Sequence, residues 1–152
     1  MAGAKVTLTG GAKLSAHLKR IAKEVSRPAS LSVGFLAGST YPDGTPTAAV
    51  AAWNEWGTPT IPSRPFFRRM IRLDSSKWGV NVGQALKIAD YDVSRALSFM
   101  GVEIKEELQD SIRSGDFAPL SPVTVAAKGF DQPLIDTSHM INSVDYRVDQ
   151  GA

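Results

Sequence analysis

Pro59, Pro62 and Pro65 fall within seven residues, and this spacing constrains the chain more than any other feature. Each proline fixes its own φ and pushes the preceding residue out of the helical region. The path from Gly57 to Pro65 is therefore extended and stiff, with little freedom to lose on folding. It separates two segments that read as helices. Ala48–Trp56 is a short helix with Val50, Trp53 and Asn54 near one face, and Gly57 suits a left-handed cap. Pro65 suits a first helical position. After it, Phe66, Phe67, Met70 and Ile71 form an apolar set with helical spacing. Arg64, Arg68 and Arg72 step by four along another face, with Arg69 beside them. Aromatic residues are only 8% of the chain, yet Trp53, Trp56, Phe66 and Phe67 bracket this one loop. A rigid aromatic segment is either core or a surface that docks into a neighbouring subunit.

The remaining pattern supports one α+β domain. Leu14, Leu18, Ile21, Ala22 and Val25 recur at spacings of three and four, which predicts an amphipathic helix over 12–26, stopped by Pro28. Its narrow stripe lacks aromatics, so packing against the core is expected over lying on a membrane. Alternation of Leu31, Val33, Phe35 and Ala37 predicts a strand over 30–38. Tyr41, Pro42, Asp43 and Gly44 then give a turn-rich loop, either a hairpin connection or a mobile projection toward a neighbour. The apolar residues from Val80 to Met100 predict a long helix, with the preceding helix weakening through Asp74–Trp78. Gly101 breaks it, or it runs on through Val102, Ile104, Leu108 and Ile112 to Ser114-Gly115. Ser121-Pro122 starts a short helix that Gly129 closes. Asp136 or Thr137 caps another, and Val144, Tyr146 and Val148 alternate as a final strand. Residues 1–11 read as a loose arm or weak strand (Lys5–Thr9), 12–148 as the domain and 149–152 as a fraying tail.

Composition removes several kinds of chemistry. With no cysteine there is no disulfide, thiolate nucleophile or cysteine-ligated metal. Two histidines, His17 and His139, do not make a multi-histidine centre in one chain. The GxxxxGK[ST], GxGxxG and HExxH patterns are absent. No run of 18 apolar residues occurs, and the N-terminus lacks the apolar core of a signal peptide. Asp90, Asp92, Glu103, Glu106, Glu107 and Asp110 are the carboxylates a magnesium-dependent nuclease would use, but in helical runs they read first as solvated faces. Ser121, Ser138 and His139 do not read as a triad, since capping accounts for Ser121. Charge is uneven. Residues 1–80 hold 11 basic and 4 acidic residues, +7, and residues 81–152 hold 6 and 11, −5. Such segregation suits head-to-tail packing of identical subunits, steering of a nucleic acid, or chance. The arginine cluster has matching uses: phosphate contact, pairing with an acidic subunit surface, or plain solvation.

Three ordered pieces resemble the small tail-completion and head–tail joining (neck) proteins of tailed bacteriophages. Trp53-Asn54-Glu55-Trp56-Gly57-Thr58 followed by Ile61-Pro62-Ser63-Arg64-Pro65-Phe66-Phe67-Arg68 is similar to that family's "E-x-G-T … I/M-P-x-R-P-F-L/F-R" run. Gly115, then Pro119-Leu120-Ser121-Pro122, Thr124 and Lys128, follow its "G-x-x-x-P-L-S-P-x-T-x-x-x-K". Leu134-Ile135-Asp136-Thr137, Met140, Asn142-Ser143 and Tyr146 resemble its "L-I-x-T-G-x-L-x-x-S-I-x-Y" ending, with Ser138 where the family usually has glycine. The resemblance spans about residues 14–148.

The resemblance implies a structural virion protein with no catalytic residue, cofactor or metal. It implies a small curved antiparallel sheet packed against a long helix, with further short helices. Subunits of this family form rings, often sixfold, between the tail and the head connector. The expected partners are further copies of the chain, a connector or stopper protein, a tail terminator or tail-tube protein, and packaged DNA in passing; a membrane is not among them. Assembly is expected in the host cytoplasm. The expected subunit interface is Trp53, Trp56, Arg64, Phe66, Phe67, Arg68, Arg69 and Arg72, with Tyr41, Pro42, Asp43 and Gly44 as a second contact. The competing reading is a DNA-binding or magnesium-dependent nuclease accessory protein of packaging.

Overall fold

The computed structural model describes residues 10–135 and 138–151. Its elements are α1 (Gly11–Val25), β1 (Ala29–Phe35), α2 (Thr47–Trp56), α3 (Phe66–Ile88), α4 (Val93–Arg113), α5 (Pro122–Lys128), α6 (His139–Asn142) and β2 (Val144–Gln150). The weak strand at Lys5–Thr9 and the caps at Asp136 or Thr137 lie outside the described residues. The fold is α+β, with a two-stranded antiparallel sheet packed against long helices.

α3 and α4 form an antiparallel hairpin, and α4 also carries the sheet. Strand register pairs Leu31 with Val148, Val33 with Tyr146 and Phe35 with Val144. These alternate residues turn toward the helices while Ser30, Ser32, Asp145 and Arg147 face water. The main core joins Phe66, Met70, Leu108, Ile112 and Val144, and a second cluster of Ala85, Ala89, Ala96 and Met100 lies between α3 and α4. Small residues in that second cluster let the two helices approach closely. Polar links fasten the same seam. Lys77 Nζ lies 3.0 Å from both Asp74 and Glu107 carboxylates, Trp78 Nε1 donates to Glu107 at 2.8 Å, and Asn81 donates to Glu103. The Asp74 carboxylate, then that of Glu107, raises the Lys77 pKa above its ordinary value.

Three expectations are corrected. The stretch expected as one helix from Val80 to Met100 is divided: α3 runs into it and ends at Ile88, and α4 starts at Val93 and continues through Gly101 to Arg113, the second of the two readings given for Gly101. The break falls at Asp90 and Tyr91, both left-handed, with φ of 51° and 65°. Tyr91 N–H donates to Leu86 O at 2.7 Å, and Asp92 starts α4 by accepting from Arg95 N–H at 3.0 Å. No glycine or proline marks this turn in the sequence. Secondly, α1 forms as expected but does not pack into the core: it buries no residue, and Leu14 is 60% exposed. Thirdly, Asp149 and Gln150 extend β2 by pairing with Ser30 and Ala29, and Gly151 N–H donates to Pro28 O at 2.8 Å, so this part of the tail does not fray. The turn-rich segment takes the hairpin form of its two readings, since residues 39–46 form a closed turn leading into α2. Thr40 bridges Pro46, Tyr41 N–H donates to Thr45 O, and Asp43 Oδ1 accepts from Thr45 N–H at 2.9 Å. That backbone bond from Thr45 holds the Asp43 carboxyl below its usual range.

The short α5 forms as its sequence indicates. Ser121 Oγ accepts from Thr124 N–H at 3.2 Å, Pro122 opens the helix and Gly129 closes it with a left-handed cap. Replacing Ser121 with Ala leaves that N–H unsatisfied, and urea titration is expected to show a loss of about 1 kcal/mol. A loss below a few tenths would mean the cap contributes nothing to α5.

Candidate docking site

The site is assembled where α2 ends, the proline path turns back and α3 begins. Gly57 sits at φ 79°, and a Cβ there would meet Ser63 N at 2.9 Å, so only glycine fits the crossing of the two arms. Thr58 N–H donates to Ile61 O at 2.8 Å, and Ser63 Oγ donates to Glu55 O at 2.8 Å. The stiff path thus closes against the last turn of α2.

Glu55 fastens this loop to the next helix. It is only 4% exposed. Its Oε2 accepts from Phe67 N–H at 2.9 Å, and its Oε1 accepts from Arg68 N–H at 3.2 Å and Arg68 Nε at 2.8 Å. Pro65, in the capping position, offers no side-chain acceptor, so a carboxylate from α2 serves the orphan N–H groups at the positive end of α3. The Arg68 guanidinium also donates to Glu55 O at 2.7 Å and lies 4.2 Å from the Trp56 ring centroid.

Arg64 makes the second link. It is not on the α3 surface with Arg68 and Arg72, as the four-residue spacing suggests, because α3 starts two residues later. Its side chain is buried, with Nε donating to Ala118 O at 3.1 Å, Nη2 to Pro119 O and Nη1 to Asn54 Oδ1, both at 3.4 Å. Burial lowers the pKa of the guanidinium from its ordinary value, and the three acceptors keep the charge satisfied. Phe66 is likewise internal, wholly buried, its carbonyl accepting from Ser111 Oγ at 2.8 Å. Arg64 and Phe66 therefore lie beneath the surface on which both were expected.

The other expected residues divide between three hollows. Trp56, 68% exposed, and Ile71 edge a mostly apolar groove of about 400 Å³ over Phe35, Ala52 and Phe67. Arg69 and Arg72 line a hollow of about 450 Å³ with Asp116 and Phe117, where Arg69 is 3.8 Å from Asp116. Trp53 meets Tyr41, Asp43 and Lys128 around a third hollow of about 370 Å³. The turn and the tryptophan, distant in the sequence reading, therefore share one surface. Pro42 and Gly44 complete the turn beside it.

Sequence reasoning missed the role of Glu55 and a polar cluster under the turn. Ser39 Oγ bonds Thr47 Oγ1 at 2.9 Å and Ser143 Oγ at 2.8 Å, and Thr47 Oγ1 lies 3.3 Å from His139 Nε2. Thr47 has no exposed surface, and through it this cluster ties the start of α2 to α6. Of the carboxylates named for a nuclease, Glu103 and Glu107 are engaged with Asn81, Lys77 and Trp78 on α3. About 27 Å of helix rise separates Asp92 from Asp110, while Asp90 pairs with Arg20 and Asp110 with Arg113. Among the described residues no group of three His, Asp or Glu side chains is placed to hold a metal ion, and no helix is long and apolar enough to cross a membrane. Comparison of the chain with protein-family models, with curated proteins and with solved structures gives no match in any of the three.

Proposed function

We propose that this chain is a structural subunit that completes the tail of a phage particle and helps join it to the head connector. The observation that carries the reading is the meeting of the motif pieces in one brace. Within the first piece Arg68 Nε donates to the Glu55 carboxylate, and Arg64 reaches across to the Ala118 and Pro119 carbonyls in the span of the second. Lys128 of the second donates to Gln132 O at 3.1 Å and to Ile135 O in the third. Motif residues linked in this way account for a rigid support, and the side chains turned outward beside it are the Trp56 edge and Arg72. That is a layout for binding: an apolar anchor with charge beside it.

Electron microscopy of particles made with and without the protein tests the reading. Separate tails and filled, tailless heads are expected in its absence; normal joined particles would end the proposal. A sharper form uses Trp56→Ala and Arg72→Ala. Both side chains are exposed, so the loss of stability is expected to stay within about 1 kcal/mol, including the Arg68 contact that Trp56 gives up. Incorporation into particles is expected to fall about tenfold or more, as for an interface anchor. Wild-type incorporation of both variants would remove this surface from the junction.

The basic hollow favours one second reading, contact with nucleic-acid phosphates through Arg69 and Arg72. Salt-dependent binding of duplex DNA that weakens when both are changed to Ala would support it, and no binding at low salt would dismiss it.

A further inference from the structure

Two of the three hollows adjoin. Arg68 stands in the lining of both the apolar groove and the basic hollow, so the ridge between them is one side chain. That side chain is already engaged: Glu55 Oε1 accepts from its Nε, and Glu55 O and Ser63 Oγ accept from its Nη2. The open charge lies beyond the ridge. The Arg69 side chain is 25% exposed and lies 3.8 Å from Asp116 Oδ2, longer than a hydrogen bond, and that carboxylate is itself 82% exposed. Arg72 is exposed and has no hydrogen-bond or ion-pair partner for its side chain among the described residues.

Arg69 and Arg72 are three residues apart on α3, and side chains so spaced stand about 5–6 Å apart at Cβ on one helix face. Two guanidinium groups thus face one loosely held carboxylate. One positive charge is in excess, and their N–H donors lack close acceptors among the described residues. On the other side of Arg68, the groove over Phe35, Ala52 and Phe67 is open to a large apolar side chain. Three occupants differ in what they offer. Duplex DNA would meet the arginines with phosphates and leave the apolar groove empty. A second copy of the chain offers only isolated carboxylates. Of the described acidic residues, Glu106 on α4 and Asp131 after α5 alone have no hydrogen-bond or ion-pair partner; the others are held within the subunit. A segment of another protein, with carboxylates next to a large apolar side chain, answers both hollows at once.

We infer that the Trp56 groove and the Arg69–Arg72 hollow together take one acidic segment of another protein, with an apolar side chain seated beside Trp56 and a carboxylate on the two arginines. Guanidinium forks suit a carboxylate, and partial burial of Arg69 leaves it less freedom to lose on binding. Arg68, fixed by Glu55, keeps the two subsites at one spacing, so the apolar and acidic groups lie close together along the partner. The inference deepens the docking reading by naming the chemistry of its partner, and rests on it for the premise that this surface docks.

The probe is a short fluorescein-labelled peptide of glutamates around a leucine–tryptophan pair, titrated with the full-length chain and followed by fluorescence anisotropy. Binding with a Kd of about 0.1 mM or tighter is expected at low salt, weakening as salt is raised. Serines in place of the leucine–tryptophan pair, or glutamines in place of the glutamates, are expected to weaken it about tenfold. Trp56→Ala and Arg72→Ala in the protein are expected to do the same, with the melting temperature of Arg72→Ala unchanged because its side chain has no partner to lose. No binding at about 1 mM, or binding indifferent to either protein substitution, overturns the inference. So does duplex DNA held through Arg69 and Arg72 by a chain that leaves the peptide free, or self-association that Arg72→Ala abolishes without any peptide binding. A peptide that does not bind, while Arg72→Ala still lowers incorporation into particles, overturns this partner and leaves the assembly reading standing. Peptide binding by a protein whose absence leaves particles normally joined upholds the partner chemistry and ends the assembly reading.

Discussion

Glu55→Ala is expected to lose about 3–5 kcal/mol of stability, the range for removing one partner of a buried charged network. The loss follows from what is stranded. Phe67 N–H and Arg68 N–H both lose their acceptor, and Arg68 loses the oxygen 2.8 Å from its Nε. Water cannot readily replace a side chain that is 6% exposed. At roughly 2–4 °C per kcal/mol for a chain of this size, the midpoint falls by about 10 °C. Glu55→Gln keeps an acceptor and the shape, so its loss is expected to be smaller, about 1–2 kcal/mol. Urea titration of the three proteins is the measurement. A loss below 1 kcal/mol for Glu55→Ala would show that Glu55 does not hold α3 to α2. The prediction also bears on function, because the Trp56 edge is presented by the helix turn that Glu55 ends.

Gly101→Ala has the opposite sign from the rule for helical glycines. In an exposed helix interior the change gains about 1 kcal/mol. Here the new Cβ would lie 2.6 Å from Tyr146 Cγ, close to where that ring joins the backbone of β2. The ring cannot swing away from a contact so near its root, so sheet and helix must separate. A net loss of about 1–3 kcal/mol is expected. Gly83→Ala is the control: its Cβ would meet nothing within 4 Å on α3, and a gain of up to about 1 kcal/mol is expected. Thermal unfolding of both variants checks the pair. Equal, stabilising effects would show that α4 and β2 are not in close contact at this point.

Both results concern how a surface is held in place. The brace made by Glu55, Arg64 and Arg68 uses most of its polar groups internally, leaving Trp56 and Arg72 to face outward. Loss of assembly with stability kept, for Trp56→Ala, and loss of stability for Glu55→Ala would separate the surface from its support. Variants of the support alone do not locate an interface.

Local signals were sufficient where a residue acts on its own neighbours. Pro28 and Ser121-Pro122 mark helix boundaries because their effects reach only a turn away. Alternation placed β1 and β2, and their period of two decided which side chains face the helices. The same logic failed at Asp90-Tyr91, where a left-handed turn is imposed on residues without glycine by the closing of α3 onto α4. It also misplaced Arg64, since a spacing of four says nothing about where a helix starts after a proline path.

What the chain's order of residues determined is the stiffness of the loop, the identity of the helices and strands, and the presence of a basic, aromatic segment. Tertiary structure alone decided which members of that segment meet solvent. Arg64 is turned inward because backbone carbonyls 54 and 55 residues away supply its acceptors. Glu55 becomes a cap because folding brings it to the start of a helix that begins eleven residues later. Burial and long-range hydrogen bonding depend on spatial neighbours, and the spacing of residues along one segment does not encode them.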